Sequence, residues 1–171
     1  MRRGIILEVP RLEQPRQADF CGLACLAMVL QYYGHPLAQE QLARYISSPA
    51  DIHRNGTDRW KLAFAASRAG FEAEVRSRLS FEDIAELLDE GIPLIARTRT
   101  WTLDKEDAHY RVIYGYMQRR TAYLYIHDPW WGRPFADINV MAAPNFHKLW
   151  TAVGSKEEGN YSCRAAVIVR P

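Results

Sequence analysis

Three cysteines in 171 residues, Cys21, Cys25 and Cys163, do not make a disulfide framework: the number is odd and two of them lie one helical turn apart. They are read as thiols, and a reducing, cytoplasmic setting is the expectation. Long apolar runs are missing as well. The longest uncharged stretch near the start, Phe20 to Gln39, is interrupted by Gln31, Gly34, His35 and Pro36 and follows a charge-rich segment, so neither a membrane span nor a signal peptide fits. Basic tracts do not exceed the pairs Arg2-Arg3 and Arg119-Arg120. With 22 Lys+Arg against 20 Asp+Glu the chain has no broad attraction for phosphates, and nucleic acid is not expected as a partner. The 10 glycines are scattered, with no phosphate-cradling loop, and no repeat, low-complexity stretch or linker divides the chain.

What remains is an ordinary globular composition, 48% hydrophobic and 25% charged, and residues 1–171 are read as one domain with a real core. Asp19 is positioned to cap a helix from about Phe20 to Tyr33, which Gly34 and Pro36 stop. Leu23, Leu26, Ala27 and Leu30 give it an apolar stripe, and Ala24, Met28 and Val29 make its other faces apolar too, so it is expected to be central and buried. Leu37 to Ile46 reads as a second helix. Asp58 opens a third that ends at Gly70, and Ser80 opens a fourth that Gly91-Ile92-Pro93 terminates. A short strand is expected at Ile5 to Val9. The texture then turns to β-branched and aromatic residues at Leu94 to Thr98, His109 to Tyr116, Ala122 to His127 and Ala165 to Val169. A helical first half followed by an antiparallel second half is an α+β pattern.

Cys21 falls in the first turn of the most hydrophobic helix, where unpaired N–H groups and the helix dipole favour an anionic sulfur, which makes it a candidate nucleophile. On local sequence alone a small buried thiol is an equally good reading. Gly22 beside it removes a Cβ where a substrate backbone would approach, whereas Cys25, one turn deeper, is read as packing. A nucleophilic thiol needs a base, and the strand pattern selects His109 from five histidines. If Met117 to Arg120 form the hairpin turn, Tyr116 pairs with Thr121 and His109 falls directly opposite Asp128, close enough for the carboxylate to orient the imidazole. A turn one residue longer or shorter makes that contact diagonal. Asp128-Pro129 also reads as a plain turn opening. His127 points to the other face, and His35, His53 and His147 have no partner the sequence names. An oxyanion needs a side-chain amide, for which Gln14 and Gln17 are the candidates. Trp101, Trp130 and Trp131 are candidates to line a substrate cleft. Cys21-x3-Cys25 has the first spacing of a zinc site but no histidine pair supplies the second, so no metal or other cofactor is expected.

The block Gln14-Pro-Arg-Gln-Ala-Asp-Phe-Cys21-Gly-Leu-Ala-Cys-Leu-Ala-Met-Val-Leu-Gln-Tyr-Tyr-Gly34, with His109-Tyr-Arg-Val-Ile-Tyr-Gly-Tyr and Ile126-His-Asp128-Pro-Trp-Trp-Gly132, resembles the papain-like peptidases that cut bacteriocin leaders after a double glycine, and their stand-alone relatives. The resemblance implies a papain-like fold with a Cys-bearing helix packed on an antiparallel sheet. It also implies Cys21 as nucleophile, His109 as base and Asp128 as its orienter. The family's oxyanion glutamine lies six residues before the cysteine, a position Pro15 holds here, and Gln14 is taken for it ahead of Gln17. The chain carries neither the membrane exporter nor the ATPase often joined to such domains, so a stand-alone cysteine peptidase or related amide hydrolase is expected, acting on a peptide or protein substrate such as a leader peptide. A peptide-binding module of the same fold, and an acyltransferase or deamidase using the same three residues, are the alternatives.

Overall fold

The computed structural model describes residues 3–16, 18–99, 108–130, 140–150 and 164–171. The helix α1 (Cys21–Tyr32) is the centre of the fold, and every residue from Gly22 to Leu30 is buried. A helix apolar on all sides must be enclosed by other elements, and each of its leucines contributes about 1.5–3 kcal/mol by leaving water. Its end follows from Gly34, whose φ of +79° is a left-handed conformation that costs a residue without a Cβ nothing; the chain then reverses and the His35 N–H reaches Leu30 O at 2.9 Å. The start differs from expectation. Asp19 does not cap α1: Phe20 occupies the N-cap, buried and with no side-chain bond to the first turn, so the N–H groups there are left without a side-chain acceptor.

The helices α2 (Gln39–Ile46) and α4 (Arg59–Arg68) pack on α1, α3 (Pro49–Asn55) packs on α2, and α5 (Phe81–Asp89) packs on the strands of the sheet. The Asp58 and Ser80 carboxylate and hydroxyl cap α4 and α5 as their positions in the sequence require, accepting from the N–H groups of Lys61 and Asp83. The short helix α3, opened by the Ser48 cap and Pro49, was not expected, and neither was the strand β2.

The strands β1 (Arg3–Ile6), β2 (Glu72–Arg76), β3 (Leu94–Arg99), β4 (Ala108–Gln118), β5 (Ala122–His127), β6 (Val140–Ala142) and β7 (Ala166–Arg170) form one antiparallel sheet in the order β2-β7-β3-β4-β5-β6, while α6 (Ala143–Trp150) follows β6. Strand β1 lies at Arg3–Ile6, short of the expected Ile5 to Val9, and pairs with the far half of the β4 edge that β3 occupies lower down. Gly4 and Gly115 permit that pairing: a Cβ on either would stand 2.7 Å from a carbonyl oxygen of the neighbouring strand. The β4–β5 register also corrects the expectation. Gln118 pairs with Ala122, so the turn is Arg119-Arg120-Thr121, and a bulge between Ile113 and Gly115 then shifts the pairing by one, setting Val112 opposite His127. Continued one step, this places Asp128 across from Arg111 and diagonal to His109. No helix among the described residues is long and apolar enough to cross a membrane.

Candidate active site

Cys21 sits at the first position of α1, and His109 at the start of β4 is brought against it because α1 packs on the face of β4 that carries His109, Arg111 and Ile113. The Cys21 thiol lies beside the His109 ring, and both line one groove. On its other side the imidazole Nε2–H donates to Asp128 Oδ1 at 2.7 Å, which leaves Nδ1 for the sulfur. Both side chains are buried, His109 to 4% and Asp128 to 1% exposure.

The diagonal contact works because Asp128 has left the strand. The segment Asp128-Pro129-Trp130 is tied down by Gln14 N–H to Pro129 O at 2.8 Å and by Arg11, whose guanidinium donates to Asp128 O at 3.1 Å and to Trp130 O at 2.8 Å. The Trp130 N–H donates back to Asp128 Oδ1 at 2.9 Å. That last bond is the Asx turn that an Asp-Pro pair predicts, so the turn and the bond to the His109 ring coexist in one residue. Burial opposes the Asp128 carboxylate, but the donors His109, Arg111 and Trp130 N–H outweigh it and hold its pKa well below the usual range. At His109 burial opposes the imidazolium, and the bond to Asp128 and the neighbouring Cys21 sulfur more than compensate, so its pKa lies above the ordinary histidine value.

Cys21 and His109 open on a groove of about 630 Å³, lined also by Gln14, Trp130, Tyr110, Gly56 and Thr57, with Asp19, Asp58, Lys61 and Arg97 along its walls, while Asp128 lies buried behind His109. Gln14 is buried and its Nε2 donates to Ala18 O at 2.7 Å, which fixes the amide and leaves its second N–H. Trp130 is 40% exposed, with its ring 5.9 Å from the His109 ring in an edge-on arrangement. The two tryptophans Trp101 and Trp131, together with Gln17 and Cys163, lie outside the described residues.

Gly22 has a different role from the one expected. It is buried against α4, where a Cβ would stand 2.9 Å from Leu62 Cδ1 and 3.0 Å from Thr57 Cγ2; the missing side chain lets two helices close together and makes no room for a substrate. Cys25 packs in the core as expected, and burial pushes its thiol pKa well up. His127 faces away, stacked on Tyr114 with ring centroids 4.0 Å apart and bonded to Val9 O. Among the described residues no group of three or more His, Cys, Asp and Glu side chains is arranged to hold a metal ion.

Sequence reasoning missed Arg111. Its side chain is wholly buried, and its Nε–H donates to Asp128 Oδ2 at 2.8 Å. A signal existed: Arg111 is the one charge in an apolar strand and stands two residues from His109, hence on the same face.

The sequence model of the Peptidase_C39 like family matches residues 6–158. The chain belongs to this family. Its membership supports a cysteine-peptidase type of function, and its fold is that of C39 papain-like peptidase domains. This C39-like chain is similar to the peptidase domain of Streptococcus ComA, a bi-functional ABC transporter involved in a quorum sensing pathway: 24% identical, covering 94% of this chain and 96% of that one, with a TM-score of 0.67. It is also similar to a C39-like peptidase from Bacillus anthracis, 20% identical over 99% and 98% of the two chains with a TM-score of 0.69. A third relative in structure is a double glycine motif protease from an AMS/PCAT transporter, in complex with the leader peptide: 24% identical over 97% and 94%, TM-score 0.60. No curated protein matches the chain.

Proposed function

We propose that the chain is a cysteine peptidase, or a related amide hydrolase, that cleaves a peptide through Cys21, His109 and Asp128. The observation that carries this reading is the His109 ring bonded to Asp128 and facing the same open groove as a half-buried thiol at a helix start. In the reaction the Cys21 sulfur attacks the substrate carbonyl carbon, and the negative oxygen is met by the second N–H of Gln14 Nε2 and the Cys21 N–H. The His109 imidazolium gives its proton to the leaving amine as the C–N bond breaks. Neutral His109 then takes a proton from water, whose oxygen attacks the thioester, and the acid is released as the thiol re-forms. Asp128 keeps the imidazole turned so that Nδ1 faces the sulfur throughout.

The substrate class within this reading is an extended peptide, with Trp130 on one rim of the groove. A leader peptide with a double glycine is the form supported by the sequence resemblance and by the relative that holds such a peptide. The cytosolic setting belongs to the same proposal, since free Cys21 and Cys25 suit a reducing compartment.

The test is iodoacetamide labelling of each cysteine between pH 5 and 9, followed by mass spectrometry, in the wild type and in His109→Ala. Cys21 is expected to label rapidly below pH 7 and at least about tenfold more slowly in the variant, with Cys25 slow in both. Equal, ordinary thiol behaviour at both cysteines removes the reading. Incubation with double-glycine leader peptides, with Cys21→Ala as control, then reports cleavage directly.

A further inference from the structure

Arg111 is the one arginine with no exposure among the described residues, and the sequence offers no packing reason for a cation there. Its anchors come from two strands. Nε–H donates to Asp128 Oδ2 at 2.8 Å, just past the end of β5, while one terminal nitrogen donates to Arg99 O at 2.7 Å and to the Thr98 hydroxyl, both on β3. The Thr98 hydroxyl in turn donates to His109 O at 3.1 Å. The guanidinium therefore links the carboxylate to the backbone that carries the imidazole. Asp128 is left with Oδ2 committed to Arg111 and Oδ1 shared by His109 and the Trp130 N–H, a clamp that prevents the carboxylate from rotating out of the His109 ring plane.

The charge count gives the arrangement its meaning. An active cluster of this kind holds a thiolate at Cys21, an imidazolium at His109 and a carboxylate at Asp128, which sum to one negative charge in a buried site. Arg111 brings the sum to zero. Among the described residues the other groups near Asp128 do not replace it. Cys25 on α1 is a fully buried thiol, and Arg11 from the N-terminal segment bonds only the carbonyls of Asp128 and Trp130 and the exposed Glu13. Lys61, Arg97, Asp19 and Asp58 stand along the groove wall with both signs represented, and Tyr110 is a buried hydroxyl.

We propose that Arg111 is a positioning residue of the site: it fixes Asp128 against His109 and supplies the buried positive charge that allows Cys21 and Asp128 to be anionic together. This rests on the catalytic reading of Cys21, His109 and Asp128 given above. Removing the cation makes the loss of the Cys21 proton less favourable, so the acid limb of Cys21 reactivity moves to higher pH.

The experiment measures iodoacetamide labelling of Cys21 from pH 4 to 9 in the full chain, with thermal melting followed by circular dichroism. Arg111→Met and Arg111→Gln remove the charge, the second keeping a donor for Asp128, and Arg111→Lys keeps the charge. The expected result is an upward move of the acid limb by about one pH unit in the neutral variants, which is roughly a tenfold slower reaction on the limb, with the Lys variant within about threefold of wild type. Should Arg111→Met fail to fold, Arg111→Gln against Arg111→Lys carries the same comparison. A lower melting temperature with the limb unmoved in the neutral variants overturns the proposal and leaves Arg111 a purely structural ion-pair partner. A wild-type Cys21 with no dependence on His109 overturns the catalytic reading instead, and is seen before any Arg111 variant is compared.

Discussion

Replacing Asp128 with Asn separates charge from shape at the one residue that joins all parts of the site. Among the described residues the carboxylate receives His109 Nε2–H at 2.7 Å, Arg111 Nε–H at 2.8 Å and Trp130 N–H at 2.9 Å. An amide has one oxygen, so whichever way it turns, its NH2 faces either the guanidinium or the imidazole. If the oxygen stays with Arg111, His109 is driven to the tautomer with its proton on Nδ1, facing the sulfur, where it cannot accept one. Inversion of this kind in catalytic triads costs up to about 10⁴-fold, and a loss of roughly 10²–10⁴ in kcat/KM is expected here, or about 2.7–5.5 kcal/mol of barrier. Stability falls as well, because Arg111 has no exposed side-chain surface and loses its counter-charge. Breaking such a buried pair costs about 3–5 kcal/mol, which for a chain of this size lowers the melting temperature by roughly 6–20 °C. Peptide cleavage and thermal melting, measured on the same preparation, check both numbers. An Asn variant that melts within about 2 °C of wild type and retains activity within threefold would refute the account of the clamp.

Three further outcomes follow from particular contacts. Gly22→Val forces side-chain atoms into Leu62 and Thr57 and should destabilise by about 1–3 kcal/mol in urea unfolding, with Gly22→Ala closer to neutral because improved helix propensity offsets part of the crowding. The raised His109 pKa means that the folded state binds a proton more tightly than the unfolded one. Its stabilisation is complete below the ordinary histidine value of about 6.5 and is lost as pH rises through the higher folded value, so the melting temperature should decline across that window in wild type and stay flatter in His109→Gln. Trp130→Ala keeps the backbone N–H bonded to Asp128 but strips a groove wall, and peptide kinetics should show KM raised about tenfold with kcat changed little.

The helical half was readable because its signals are local. The apolar run of α1, the caps at Asp58 and Ser80 and the stops at Gly34, Gly70 and Gly91 each act within one or two turns of chain. Of the missed elements, α3 did carry a local signal in its Ser48 cap and Pro49, whereas β2, whose alternation spans only five residues, is held as a strand by its pairing with β7. The turn Arg119-Arg120-Thr121 and the bulge between Ile113 and Gly115 were invisible for a similar reason, since a register belongs to two strands and to whatever packs on them. The expected juxtaposition of His109 and Asp128 nonetheless formed, as a diagonal contact, because Asp128 lies past the strand end and is turned inward by Trp130 N–H and Arg111.

The sequence by itself determined a buried helix from about Phe20 with Cys21 in its first turn, the candidate partners His109 and Asp128, and the α+β order of the elements, all of which follow from periodicity and side-chain chemistry along the chain, while the choice of Gln14 ahead of Gln17 came from the family resemblance. Tertiary structure alone decided that Gly22 serves packing, that Phe20 and not Asp19 precedes the first turn, and that Arg111 lies beneath the carboxylate. The physical reason is that each of these depends on what an atom meets across the fold: a methyl group of Leu62, the core around Phe20, or, for Arg111, a counter-charge seventeen residues further along the chain.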